Sequence, residues 1–124
     1  MGAVDSSREL VALMKIPDSA IIPTAKLTRY LLVQRARNDK SKFLARAGFT
    51  LNNHEALERA LRNLVLSTEA TIDRTDDYGT FYQVVGQLEG VNGVVLSVVT
   101  VWLQRKIDRK FQFVTLVPYK ENNQ

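Results

Sequence analysis

Val94 to Leu103 reads VVLSVVTVWL, ten residues without a charge or a proline, of which only Ser97 and Thr100 are not apolar. This β-branched, aromatic-ended run fits a strand buried on both faces, about 33 Å long at ~3.3 Å per residue. Asn92-Gly93 precedes it and the charged segment Arg105-Lys106-Ile107-Asp108-Arg109-Lys110 follows. Both read as turns, so the stretch is expected to be the central strand of an antiparallel sheet. For Asn-Gly the expectation is a type I′ turn, with positive φ at both central residues.

Working outward, Thr80 to Leu88 alternates, with Tyr82, Val84 and Leu88 on one face and Phe81, Val85 and two glutamines on the other. Gly86 interrupts the first face, which points to a bulge or a close neighbour. Ala70 to Arg74 reads as a short polar edge strand, and Asp76-Asp77-Tyr78-Gly79 as the turn after it. Phe111 to Val117 makes a fourth strand, stopped by Pro118.

Upstream the period is helical. Leu27, Tyr30, Leu31 and Gln34 recur at i, i+3, i+4 and i+7, predicting a helix from a Thr24 cap to about Val33. Asp39 is placed to cap a short second helix over Lys40 to Ala47, with Phe43, Leu44 and Ala47 inward and Gly48 stopping it. Asn52 or Asn53 caps the clearest helix, whose buried stripe is Leu57, Leu61, Leu64 and Val65. Three helices followed by four consecutive strands give an α+β fold: three N-terminal helices packed on one face of a four-stranded antiparallel meander sheet.

A chain of 124 residues is one domain with room for a core. Residues 1–14 are expected to be a lead-in, frayed or briefly helical from the capping box Ser6-Ser7-Arg8-Glu9. Residues 15–118 form the domain and 119–124 a polar tail. The absence of cysteine excludes disulfides, zinc-thiolate sites and thiol nucleophiles. The longest uncharged run, Gly90 to Gln104, falls short of the roughly 20 residues that span a bilayer. The first residues lack a signal-peptide pattern, so a cytoplasmic location without membrane contact is expected. Met1-Gly2 with Ser6 matches the N-myristoylation pattern, but reads as an ordinary start with a small second residue.

Charge is segregated. Lys26, Arg29, Arg35, Arg37, Lys40, Lys42 and Arg46 face only Asp39 within their stretch, and Arg105 to Lys110 holds four cations against Asp108, in a chain of net charge +4. Such a bias suits an anionic partner, though a solvated face reads equally well. Residues that would meet RNA or another anion are Lys26, Arg37, Lys40, Lys42, Arg46 and Arg105, with Trp102 beside Arg105 as a stacking platform; packing is the commoner role for a tryptophan ending a core strand. Thr100 and Thr115 are hydroxyls on apolar strands, ordinary β-formers that would mark a polar line if they faced away from the helices. His54, the only histidine, starts the third helix and reads as a surface or staple residue. No metal-ligand spacing, nucleophile elbow or phosphate loop is present, and no cofactor is expected.

An ordered series of short pieces carries a resemblance. Lys15-Ile16-Pro17, Lys26-Leu27-Thr28-Arg29-Tyr30-Leu31-Leu32, Lys42-Phe43-Leu44 and Gly48-Phe49 are followed by Tyr78-Gly79, Tyr82, Gly86-x-Leu88, Val101-Trp102, Val114-Thr115 and Pro118. Over about residues 15–118 the chain resembles a family of small bacterial domains of unknown function, which brings no activity with it. The element order is also similar to small ribonuclease toxins related to barnase and to ribosome-dependent messenger-RNA interferases. That likeness implies metal-independent RNA cleavage, with Lys26, Arg37, Lys40, Lys42 and Arg105, and at the margin His54, around the phosphate. The glutamate–histidine pair such chemistry favours is missing from the strands.

Strands 94–103 and 111–117 are apolar on both faces, whereas helices cover one. The other face must meet the lead-in, a second subunit, a protein partner or a ligand. A non-catalytic binding module, as a homodimer or with a protein partner on the open sheet face, is therefore the first expectation. A toxin-like RNA-binding or ribonuclease effector is the second. The third is a cone-like domain with a small-molecule pocket beside Trp102.

Overall fold

The chain is described here by a computed structural model covering residues 14–120. Helical segments precede a four-stranded antiparallel sheet, so the fold is α+β. Its strands lie side by side in chain order: β1 (Thr71–Asp76), β2 (Gly79–Glu89), β3 (Val95–Arg105) and β4 (Phe111–Pro118). The apolar run is β3. It pairs with β2 from Gly79↔Arg105 to Glu89↔Val95, and with β4 from Gln104↔Phe111 to Val98↔Pro118.

Alternation along β3 sorts its residues. Leu96, Val98, Thr100 and Trp102 turn inward and are buried with Val84, Leu88, Phe113 and Leu116. A threonine in this core is explained by its bonds. Its hydroxyl donates to the Val84 carbonyl at 2.9 Å and accepts the Trp102 Nε1–H at 2.9 Å. Each buried polar atom of the pair thus has a partner. Phe113 meets the indole edge-on, with ring centroids 5.2 Å apart.

The helical half departs from three comparable helices layered on the sheet. α1 (Thr24–Lys26) continues as a π-helical stretch, Leu27–Leu31; α2 is Ser41–Ala45; a 3-10 turn, Leu51–Asn53, leads into α3 (His54–Ser67). The main helix–strand contact is that of α3 with β2. Leu57, Leu61, Leu64 and Val65 are buried there, and Leu64 rests where a Cβ on Gly86 would come within 2.6 Å of its Cδ1. Gly86 is therefore a close-approach glycine.

In the first segment the Leu32 N–H bonds the Leu27 carbonyl at 3.0 Å, five residues back. This wider turn shifts the stripe: Leu27, Leu31 and Leu32 are buried, whereas Tyr30 is 51% exposed and Gln34 exposed. The predicted Tyr30–Gln34 stripe is corrected accordingly. Asp39 accepts the Ser41 N–H at 3.1 Å and hydroxyl at 2.7 Å, bonds that hold its carboxyl below the usual range and fix the start of α2. At α3 the side-chain bonds belong to Thr50 and Asn53, which cap the 3-10 turn rather than the α-helix.

The β2–β3 connection is also corrected. Only Gly93 has positive φ (+88) there, and Asn92 does not. Gly90 accepts from the Gly93 N–H at 3.4 Å and donates to the Val94 carbonyl at 2.8 Å, so the loop is a three-residue hairpin ending in a left-handed glycine. Asn92 instead ties the loop to the end of α2, donating to the Arg46 carbonyl at 3.1 Å.

From Met14 the chain passes through buried Ile16, Ala20 and Ile22, and Ile21 forms a parallel bridge with Gln112 on the edge of β4. Arg62 of α3 clamps this segment, donating to the carbonyls of Ala20 at 3.0 Å and Asp18 at 3.3 Å. The expected lead-in helix and Met1-Gly2 lie outside the described residues. No described helix is long and apolar enough to cross a membrane.

Candidate functional site

The odd-numbered residues across the middle of β2 and β3 lie on the face opposite the buried Val84, Val98 and Trp102. Val85, Val99 and Val117 form one row across three strands. Gln83, Val101 and Thr115 form the next, and Phe81, Leu103 and Gln112 the third. Val85, Val95 and Val117 are exposed, while Val99, Val101 and Leu103 are half-buried by one another. Phe81 is shielded by Arg74, whose guanidinium sits 4.0 Å from the ring centroid.

At the hairpin end this face deepens into a hollow of about 660 Å³ lined by Asp77, Tyr78, Leu103, Arg105, Lys106, Ile107 and Gln112. Tyr78 is 72% and Ile107 83% exposed, both projecting from turns. Arg105 pairs with Asp108 at 3.4 Å. Lys106, Arg109 and Lys110 form no ion pair among the described residues. The result is an apolar face with glutamines among its valines and a cationic end.

The cations singled out from the sequence do not form one site. Lys26 and Lys40 meet in a cleft of about 210 Å³ with Tyr30, Arg35 and Thr115. Lys42 lies on another hollow, with Gln34, Phe49 and Thr50. The Arg46 guanidinium is 5.7 Å from the Phe43 ring centroid, and Arg37 is exposed with its carbonyl accepting from Arg35 at 3.4 Å. Arg105 belongs to the far hairpin. Trp102 is corrected outright: at 0% exposed it offers no face to a base. It lines neither that hollow nor that cleft, and Phe113 packs where a pocket beside it would open.

Thr100 points into the core, so it draws no polar line on the outer face; Thr115 does lie there. The His54 Nε2 is 3.5 Å from its neighbour Glu55, and its Nδ1 is buried without a partner. It has no hydrogen bond, among the described residues, to a hydroxyl or a second acid that would make an acid–base pair. Among the described residues no group of three or more histidines or carboxylates is placed to hold a metal. Sequence reasoning missed Arg35, Tyr30, Tyr78 and Ile107 as surface features. An isoleucine amid the charges of a turn was the available signal for the hairpin; the π-helical shift left none for Tyr30.

These features define a small α+β domain with an open sheet face. Residues 13–120 match a family model described as a domain of unknown function (DUF6883), and the chain belongs to that family. Among solved structures it is similar to a chain of the contact-dependent growth inhibition toxin–immunity protein complex from Klebsiella pneumoniae 342. The TM-score is 0.62 at 17% identity, over 82% of this chain and 95% of that one. At that identity the likeness is one of fold. No curated protein matches the chain.

Proposed function

We propose that this domain is a non-catalytic interaction module that binds an acidic protein partner across the open face of its sheet. The observation that carries the reading is the Val85–Val99–Val117 row, continued by Val101 and Leu103, on the face opposite the described helices. Burying each such side chain is worth roughly 1.5 kcal/mol or more, and soluble monomers rarely leave a large contiguous apolar patch without use.

Charge selects the partner. Arg105 and Lys106 line the hollow at the end of the face, beside Asp77, and a second copy would be another chain of net charge +4. An acidic surface complements it. The similar fold in a toxin–immunity complex supports the same reading, because that complex is an assembly of two unlike proteins. In this proposal the chain is one member of such a pair.

The test is calorimetric titration with the products of the adjoining reading frames, using wild-type chain and Val99→Glu. Saturable binding with a negative heat-capacity change, lost in Val99→Glu, is expected. A stable dimer of the 14.0 kDa chain by light scattering, made monomeric by Val99→Glu, would put a second copy on the face instead.

A second reading, an RNA-directed effector, draws on the cations between Lys26 and Arg46. It expects RNA retention that weakens steeply with salt and any cleavage to fall in Lys42→Ala. Harmless overexpression with no RNA bound or cut at low salt removes it.

A further inference from the structure

The π-helical stretch changes the surface as well as the core. By widening the turn it brings Tyr30 out to solvent, into the cleft between the first helical segment and the edge of β4. Lys26 Nζ stands 5.6 Å and Arg35 Cζ 4.9 Å from its ring centroid, and Lys40 lines the same cleft. Asn38, with φ +54, turns the chain so that Lys40 comes back toward Lys26. π-Helical interruptions of this kind are frequent at functional sites.

Three cations gathered in one cleft repel each other. None of the three is in an ion pair among the described residues. Asp39 is the one acid between Lys26 and Arg46, against seven cations, and its hydrogen bonds go to Ser41. The charge of the cleft is therefore left for something else.

We propose that this cleft binds a phosphate group, with Lys26, Arg35 and Lys40 around the anion and the Tyr30 ring as one wall. A carboxylate is satisfied by a single bidentate cation. A phosphate presents oxygens in several directions and suits donors arriving from separate chain segments. A cleft of about 210 Å³, several times the ~30 Å³ share of a water molecule, also admits the sugar-sized group that carries it. The inference stands on the cleft alone and needs neither functional reading above.

The experiment is an amide NMR titration of the full chain with two probes: adenosine monophosphate and a single-stranded RNA pentanucleotide. Saturable shifts at Lys26–Tyr30, Arg35–Lys40 and Thr115 are expected. Lys26→Gln and Lys40→Gln should each weaken binding roughly 10-fold, as the loss of a charge-assisted hydrogen bond does, without changing the melting temperature. Lys15→Gln, which removes the same charge at an exposed site outside the cleft, should leave affinity unchanged.

The two probes separate the sources. Mononucleotide binding as tight as that of the pentanucleotide identifies a small phosphorylated ligand. Tighter pentanucleotide binding, with a salt slope that falls by about 0.7 for each cation removed, identifies a strand. Shifts located elsewhere, no saturation with either probe, or equal weakening by Lys15→Gln would overturn the proposal. No protein partner enters the titration, so its failure would leave the sheet-face reading untouched.

Discussion

Thr100 and Trp102 are two residues apart on β3, and each makes the other tolerable in a core without water. Replacing Thr100 by Val keeps the shape but removes the acceptor for the indole N–H. An unsatisfied buried donor costs about 1–3 kcal/mol, measurable by denaturant unfolding. Adding Trp102→Phe to that background should cost less than Trp102→Phe alone, because the hydrogen bond is already broken and the change removes the orphaned donor. Asp39 makes a pH-dependent contribution of a different kind. Its carboxyl is held below the usual 3.8 by the Ser41 hydroxyl first and the Ser41 N–H second. The ionised form is thus favoured in the folded state, so its stabilisation is present above the ordinary value and lost as pH falls through the lowered one. Asp39→Ala should lower the melting temperature near neutral pH, and the deficit should vanish in strong acid. An equal deficit at both would contradict this account.

At the scale of elements, legibility followed regularity. β2, β3 and α3 could be read because period two and period 3.6 hold along them, and Leu57, Leu61, Leu64 and Val65 are buried as their spacing requires, whereas the register shifts at Ile72/Arg74 and Val101/Trp102 left no such signal. The first helical segment could not be. A single bond from Leu32 back to Leu27 spans five residues, and nothing in the side chains announces it. The Asn92-Gly93 turn was misassigned for a tertiary reason: Asn92 is held by the Arg46 carbonyl, a contact 46 residues away in sequence. Gly86, by contrast, was legible as a gap, and the gap is filled by Leu64. Gly86→Ala should force that leucine aside and cost about 1–3 kcal/mol as overpacking does, seen as a lower urea midpoint at unchanged slope. The Arg62 clamp on the segment after Met14 predicts faster amide exchange at Ala20–Ile22 in Arg62→Ala, with α3 itself still protected.

For the whole molecule, the two-sided apolarity of β3 carries the functional argument. The sequence showed that one face would need cover; it could not show that residues Met14 to Ile22 run to the β4 edge and the core. Nor could it show that the cations of residues 26–46 divide between separate clefts, since charge position along a chain does not fix which side chains converge. The Lys26–Arg35–Lys40 cleft and the valine face are lined by different residues apart from Thr115. Each can therefore be altered with little effect on the other.

The most direct measurement of the central claim is a valine-methyl NMR titration with the products of the adjoining reading frames. If the open face is the interface, the methyls of Val85, Val99 and Val117 shift or broaden together, while Val84 and Val98, on the opposite face of the same strands, remain in place. Saturable binding that moves methyls of the helical half and leaves Val85, Val99 and Val117 unchanged would contradict the account.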